Sequence, residues 1–121
     1  MNWGKYFTEA EFKCSHCGVA KMDQDFIDKL NKLRETCGFS LRVSSGYRCP
    51  KHPVEAAKIT TGAHTTGKAV DFAVEGKAAH SLLYYAMQMG FTGVGVQQKG
   101  NGRFIHLDDW DNLNRPTVWS Y

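Results

Sequence analysis

The segment Ala69-Val-Asp-Phe-Ala-Val74 has the clearest strand pattern in the chain. Successive side chains of a β-strand point to opposite faces of the sheet. The three large apolar side chains therefore share one face, and Asp71 lies on the other face between two alanines. The apolar face predicts burial against a core. An acid between two small residues indicates an open face that suits a functional site.

Two longer segments on either side of this strand have the apolar spacing of helices. In residues 23–36 the spacing is framed by Asp23, which is a suitable N-cap, and by Gly38, which is a suitable stop. Residues 77–89 show a second apolar helical face. The sequence therefore predicts two helices of about 13 residues, a length typical of globular domains.

Three further segments have the pattern of short strands, at residues 41–44, 92–96 and 103–108. Residues 45–67 show no clear period, and a connection this long is usually functional in a compact domain. The tail, residues 110–121, is aromatic and is expected to be irregular. Because helices and strands are mixed without a βαβ repeat, we expect an α+β fold with a small antiparallel sheet.

The composition is that of one globular domain. A chain of 121 residues has room for one core, so residues 1–121 are expected to form a single domain. Apolar residues make up 42% and charged residues 22%, which is an ordinary balance. The net charge of +3 comes from scattered lysines and arginines, so no nucleic-acid partner is required. We expect a monomer with at most a weak attraction to an anionic polymer.

The N-terminus has no apolar run of the roughly 7–15 residues that a secretory signal needs. No other segment is long and apolar enough to cross a bilayer. We therefore expect no membrane insertion and synthesis in the cytoplasm without a signal peptide. A substrate beyond the membrane would then require another route of release.

Three residues, His64, Asp71 and His106, have the types expected of a metal site. His64 lies in a loop before the strand of Asp71, and Gly67 permits that loop to fold back. His106 lies in the last predicted strand. Two histidines and one carboxylate are ligands of catalytic zinc sites, which keep a further position for water. Zinc lowers the pKa of such a water to about 7 and polarises a carbonyl group. Taken singly, each residue is more often a surface or hydrogen-bonding group.

Three motifs follow one another along the chain. They are Ser45-Gly-Tyr-Arg-Cys-Pro50, the pair His64 and Asp71 with its intervening glycine, and Phe104-Ile-His-Leu-Asp108. In this order they resemble the zinc D-alanyl-D-alanine carboxypeptidase family, which includes murein endopeptidases and phage endolysins. The resemblance implies that His64, Asp71 and His106 are zinc ligands. It also implies a fold like the Hedgehog signalling domain, with helices flanking the small antiparallel sheet.

The resemblance gives Arg48 a role as an electrostatic clamp on a substrate carbonyl or carboxylate, against the alternative of a surface salt bridge. Many members of the family carry an acid three residues before the last histidine ligand. Here that position is Arg103, which cannot accept a proton. Asp108 is the nearest substitute, because it shares a strand face with His106. Two roles stay open for it: activating the attacking water or orienting His106.

The four cysteines leave three interpretations open. Cys14 and Cys17 form a Cys-x-x-Cys pair, and Cys49 with His52 forms a Cys-x-x-His pair. These are the ligand types of a second, structural zinc site, with Cys37 as a further candidate. Disulfides are the second interpretation, although a cytoplasmic chain argues against them. Free thiols are the third, with Cys37 continuing the apolar face of its helix.

Together these observations predict a zinc metallopeptidase that hydrolyses a peptide bond in the stem or cross-link peptides of peptidoglycan. Both the carboxypeptidase and the endopeptidase types fit. The expected setting is a phage lysis enzyme that leaves the host cytoplasm through a pore and acts on the cell wall. One alternative, favoured by Arg103, is a catalytically inactive zinc-containing binding module of the same fold. Another is a structural zinc protein organised by the cysteines, which binds a protein or nucleic acid.

Overall fold

Five strands form one mixed sheet, and two long helices pack against its apolar face. The computed structural model describes all residues, 1–121. The strands are β1 (Arg42–Ser45), β2 (Ala69–Ala73), β3 (Gly93–Gln97), β4 (Phe104–Asp108) and β5 (Thr117–Ser120). The helices are α1 (Glu9–Phe12), α2 (Gln24–Cys37), α3 (Pro53–Ala56) and α4 (Gly76–Gln88), with a 3₁₀ turn at Ala63–Thr66. The α+β prediction is confirmed.

The strand order is β1-β2-β4-β3-β5. Neighbouring strands run antiparallel except β5, which runs parallel to β3. The expected small antiparallel sheet is thus present as β1-β2-β4-β3, and β5 extends it at one edge into a mixed sheet. The sequence-based prediction of an irregular tail is wrong, because residues 117–120 form β5. This edge strand buries almost none of its side chains, so it has no apolar alternation from which it could be recognised.

The core lies between the helices and one face of the sheet. Its 21 buried residues include Phe26, Ile27, Leu30 and Leu33 of α2, Leu82 and Ala86 of α4, and Val70, Phe72, Ile105 and Leu107 of the central strands. The alternation in β2 and β4 commits every second side chain to this core. The side chains between them are left for the opposite face, where the functional site lies. Neither long helix has the length and hydropathy that a membrane span requires.

Helix α2 begins and ends at the predicted residues. The Asp23 carboxylate accepts the backbone N–H of Phe26 at 3.0 Å, which satisfies one of the free donors of the first turn. Gly38 adopts the left-handed conformation (φ 76°) that commonly ends a helix. The predicted helix at residues 77–89 is observed as α4, one residue earlier at each end.

The connection from residue 45 to residue 67 is less irregular than its sequence indicates. It contains α3 and the 3₁₀ turn, each of four residues. Segments of this length complete about one turn and show no measurable period. Both are important for the site, since α3 carries Glu55 and the 3₁₀ turn carries His64.

Candidate metal centre and cleft

The three predicted metal ligands come together on the sheet face opposite the helices. Asp71 of β2 and His106 of β4 are directly opposite each other in the antiparallel ladder, so their side chains emerge side by side. The 3₁₀ turn brings His64 over the same point. One donor atom from each residue lies within 4.8 Å of the other two. We call these three residues the histidine–aspartate cluster.

Each histidine of the cluster is held by a hydrogen-bond acceptor on its far side. His64 Nδ1 lies 2.8 Å from the carbonyl oxygen of Gly46, and His106 Nε2 lies 2.6 Å from Oδ2 of Asp108. A carbonyl or an ionised carboxylate only accepts, so each of these nitrogens carries a proton. In the neutral form of each ring, the remaining nitrogen, His64 Nε2 or His106 Nδ1, presents its lone pair toward Asp71.

These lone pairs converge on one oxygen. Asp71 Oδ1 lies 3.3 Å from His64 Nε2 and 2.9 Å from His106 Nδ1. All three residues are buried, so water does not screen the repulsion between their electron-rich atoms. Such a group is stable only with a proton or a cation among the donors. The chemistry of this donor set thus fits a divalent metal ion.

The pKa directions within the cluster show that it stabilises a positive charge, whether that of a proton or of a metal ion. Burial by itself raises the pKa of Asp71, but its hydrogen bonds to His106 and His64 outweigh burial and hold the pKa well below the ordinary range. Burial lowers the pKa of His106, and the hydrogen bonds to Asp108 and Asp71 more than reverse that effect, so the pKa is raised. The cluster therefore attracts positive charge.

Asp108 lies behind His106 and is fully buried. Both of its oxygens are occupied: Oδ1 accepts from Arg115 Nε at 2.9 Å and from the backbone N–H of Trp110 at 3.2 Å. Oδ2 accepts from Arg115 Nη2 at 2.8 Å and from His106. Burial raises the pKa of Asp108, but the bonds from Arg115 and His106 hold it well below the ordinary range. Of the two roles open from the sequence, this geometry matches the orientation of His106.

Two glycines of β3 make room for this arrangement. Gly93 lies opposite Asp108 in the ladder, and a Cβ atom there would come 2.2 Å from Oδ1 of Asp108. Gly95 lies opposite His106, and a Cβ atom there would come 2.7 Å from Nε1 of Trp119. The missing side chains let the carboxylate and the indole ring lie flat over β3. The indole of Trp119 in turn packs on His106, with ring centroids 5.1 Å apart.

Arg48 reaches the same cleft from the segment after β1. Its Nη2 lies 3.8 Å from Asp71 Oδ2, and its Nη1 donates to Oε2 of Glu55 at 3.3 Å. Glu55 is buried and also accepts from Lys58 and from the backbone N–H of Gly62. Burial raises the pKa of Glu55, but these donors outweigh burial and lower it. Arg48 is therefore held in place by a buried anion rather than by a surface salt bridge.

The cleft that contains the cluster has a volume of about 440 Å³. Its floor is the histidine–aspartate cluster, and its walls include Arg48, Lys58, Arg115, Phe104, Trp119 and Tyr121. Three of these wall residues are cationic and three are aromatic. The walls thus suit a ligand that combines carboxylate groups with apolar surface.

Two polar residues near the ends of β4, Arg103 and Asp109, lie away from the cleft. Arg103 donates to the carbonyl oxygen of Gly100 and faces Glu75 at 3.8 Å. Asp109 forms a salt bridge with Lys29 at 2.8 Å. Neither side chain lines the cleft.

Sequence reasoning missed three residues of the site: Glu55, Arg115 and Trp119. Glu55 lies in the long connection that shows no period. Arg115 and Trp119 belong to the tail that was expected to be irregular. Their signal is weak in isolation, since an acid in a loop and an arginine between polar residues are ordinary surface patterns.

Three of the four cysteines also converge, and all four are unpaired. The Sγ atoms of Cys14, Cys17 and Cys49 lie within 4.8 Å of one another, and we call these residues the thiol cluster. Burial raises the pKa of Cys14, but backbone N–H donors, of which Cys49 is the strongest, lower it overall to about 7. His52 is not part of this group, contrary to the sequence-based suggestion, and Cys37 stays at the end of α2.

Comparison with known proteins places this chain in a family. Residues 5–108 match the profile of the Peptidase M15 family, a range that includes Arg48, the histidine–aspartate cluster and Asp108. The chain is 30% identical over 97 residues to the peptidoglycan L,D-endopeptidase MepK of Escherichia coli K12. The same values hold for MepK of Shigella flexneri, and the match covers 74% of this chain and 52% of that protein. The chain thus spans about half the length of the curated relatives it matches. On the extent of the family match, this chain belongs to the Peptidase M15 family.

Proposed function

We propose that this chain is a zinc peptidase that hydrolyses a peptide bond in bacterial peptidoglycan. The observation that carries the proposal is the convergence of two imidazole nitrogens on the carboxylate of Asp71, at the floor of a cleft. Membership of the Peptidase M15 family supports the reaction class. The peptidoglycan substrate is supported by the matched relative, which is named a peptidoglycan L,D-endopeptidase.

The donor set favours zinc among the common metals. Two imidazole nitrogens and one carboxylate oxygen form a three-residue ligand set typical of catalytic zinc, whereas calcium and magnesium prefer oxygen donors throughout. His64, Asp71 and His106 would hold the ion. When bound, zinc supplies Lewis-acid polarisation of the scissile carbonyl and lowers the pKa of a water molecule to about 7.

We assign Arg48 to substrate binding. Its guanidinium group lies beside Asp71 at the cleft wall and is held there by its hydrogen bond to the buried Glu55. A fixed fork of donors can bind the carboxylate of a stem peptide or stabilise negative charge that develops on the scissile carbonyl oxygen. Lys58 and Arg115 extend this positive wall, which suits peptides with several free carboxylates.

We assign Asp108 to the positioning of His106 rather than to proton transfer with water. Its two oxygens receive four hydrogen bonds from protein groups, and the residue is fully buried. Arg115 keeps it ionised, and the ionised carboxylate holds the proton of His106 on Nε2. This fixes the ring in the tautomer that directs Nδ1 toward the metal site.

The alternative of a binding module without turnover keeps one supporting observation. Among the residues that line the cleft, Asp71 is the sole carboxylate, and it belongs to the proposed ligand set. Such a module would bind zinc and wall peptides and would release no products. The experiment below separates the two functions.

The test is digestion of purified Escherichia coli peptidoglycan, with the released fragments identified by mass spectrometry. The wild type should release peptide fragments, lose this activity with a chelator and regain it with zinc. His106→Ala should be inactive, and His80→Ala, which alters an exposed histidine of α4, should match the wild type. Binding to peptidoglycan without any fragment would establish the module instead. The fragment masses also assign the bond, which separates the carboxypeptidase from the endopeptidase type.

The cellular setting stays a prediction. We propose a lysis enzyme that is made in a host cytoplasm and reaches the cell wall through a membrane pore. Expression in bacteria with and without a pore-forming protein tests this directly. Lysis that requires the pore would support the proposal, and lysis without it would contradict it.

A further inference from the structure

A second group of metal-ligand side chains lies outside the cleft. Cys14 and Cys17 belong to the loop after α1, and Cys49 belongs to the segment after β1. These two parts of the chain are 32 or more residues apart in sequence, yet their three Sγ atoms lie within 4.8 Å of one another. The catalytic proposal makes no use of them.

The loop between Cys14 and Cys17 is folded as a tight turn. The backbone N–H of Gly18 donates to the carbonyl oxygen of Cys14 at 2.8 Å, and the N–H of Cys14 donates to Val19 at 2.8 Å. Gly18 has φ +74°, a left-handed conformation that L side chains rarely adopt. This turn places both thiols on the same side and directs them toward Cys49.

The backbone also supplies a donor to sulfur. The N–H of Cys49 points at Sγ of Cys14 at 3.3 Å. An N–H group directed at sulfur stabilises a thiolate, which is the form that binds metals. The thiol cluster is therefore a polar site that favours thiolates, and not only an apolar contact between cysteines.

A disulfide accounts for this geometry less well than a metal does. A disulfide joins two sulfurs and leaves the third without a partner, whereas three thiols converge here. The fourth cysteine, Cys37, is at the end of α2 and is not part of the group. Three soft thiolate donors with a Cys-x-x-Cys spacing select zinc among the abundant divalent ions.

The neighbouring histidines differ in their availability as a fourth ligand. His52 uses both ring nitrogens, since Nδ1 accepts the N–H of Val54 at 3.1 Å and Nε2 lies 3.0 Å from the hydroxyl of Ser15. His16 is exposed, and its Nδ1 lies 3.5 Å from Sγ of Cys49. We propose that Cys14, Cys17 and Cys49 bind a structural zinc ion and that His16 completes its tetrahedral ligand set.

This ion would fix the segment that carries Arg48. The chain from Gly46 to Cys49 contacts both clusters: the Gly46 carbonyl accepts from His64, and the Arg48 N–H donates to the His64 carbonyl at 3.1 Å. On the other side, Tyr47 N–H donates to Phe12 of α1 at 3.0 Å. A metal at Cys49 would therefore fix the positions of Arg48 and of the Gly46 carbonyl group relative to the N-terminal loop.

The first test is the zinc content of protein purified under reducing conditions. The wild type and Cys37→Ser, the matched cysteine control, should each hold two zinc ions per chain. Cys49→Ser should lose one ion, and His64→Ala should lose the other. Loss of zinc in His64→Ala alone, with no change in Cys49→Ser, would overturn the thiol site. If His64→Ala still holds the thiol-bound ion, the thiol site is supported even where the wild type shows no peptidase activity.

The second test uses cobalt, and its first measurement is made on the wild type, so this part does not depend on a variant that folds. Cobalt added to metal-free protein should produce the sulfur-to-metal charge-transfer absorption of thiolate ligands. His106→Ala should keep this absorption, because its cluster contains no sulfur. His16→Ala should weaken cobalt binding at the thiols, and His52→Ala should leave it unchanged. Absence of sulfur charge transfer in the wild type, or a reversed order of the two histidine variants, would contradict the assignment.

Discussion

The histidine–aspartate cluster and the thiol cluster are held in place by different means. Two residues of the first lie on paired strands, and a carbonyl and a carboxylate fix its imidazoles from behind. The thiol cluster lies on two loops, and Cys17 is exposed. Strand register builds a site before any metal arrives, whereas loops depend on the metal itself to stay together. The first arrangement suits catalysis, and the second suits structural support.

The largest effect should come from exchanging one ligand in each cluster. His106→Ala should reduce peptidoglycan hydrolysis to the level of chelated wild type, because the ion loses a preformed ligand. Cys49→Ser should retain measurable hydrolysis and lose thermal stability, because the ion of the thiol cluster holds two loops together and does not contact the substrate. Rates of fragment release and melting temperatures measure both effects. Equal activity losses in the two variants would remove the distinction between the clusters.

The next effect should appear at Arg48, which lies between the clusters. Arg48→Ala should lower kcat/KM by roughly 100- to 1000-fold, the range found when a fixed donor to developing charge is removed. Arg48→Lys should recover only part of this, because a single ammonium cannot replace the fork. Steady-state kinetics on a soluble stem peptide provides the measurement. Full recovery by lysine would indicate that charge alone, and not the fork, is required.

A smaller effect is expected at Asp108. Asp108→Asn should weaken zinc binding or activity by about 10- to 100-fold, as found for groups that orient a metal-bound histidine. The amide cannot keep both Arg115 and His106 as donors. Zinc titration together with kinetics separates the two roles: a fall in zinc affinity supports positioning of His106. A fall in kcat with unchanged zinc affinity would restore the role of a base.

The smallest effect should be at Glu55, which accepts a hydrogen bond from Arg48. Glu55→Gln should cost about 1.5–3 kcal/mol of unfolding free energy at neutral pH, the range for hydrogen bonds to a charged group. Because the folded-state pKa of Glu55 is lowered, its stabilisation is present above the ordinary Glu pKa of about 4.3 and is lost as pH falls through the folded pKa. Denaturation curves of both proteins should therefore converge at acidic pH. A difference that widens on acidification would reverse the sign of this contribution.

The central strands and the two long helices were predictable because they are long enough to show a period. The alternation around Asp71 and His106 placed both residues opposite the core, and the structure pairs them across β2 and β4. Helix α2 has the predicted cap and stop. The short elements were not predictable, since α3, the 3₁₀ turn and β5 each have four residues and no repeated apolar face.

The sequence by itself determined the α+β class, the faces of the central strands and the three candidate zinc ligands. The class and the strand faces follow from local alternation, which acts within a few positions along the chain. The candidate ligands follow from residue type together with the three motifs that resemble the family. Only the tertiary structure decided that Arg115 binds Asp108, that Glu55 supports Arg48 and that His16 rather than His52 lies beside Cys49. These contacts depend on how separate loops approach one another across the fold. No local periodicity records that approach, because it is set by the packing of the whole sheet and its connections.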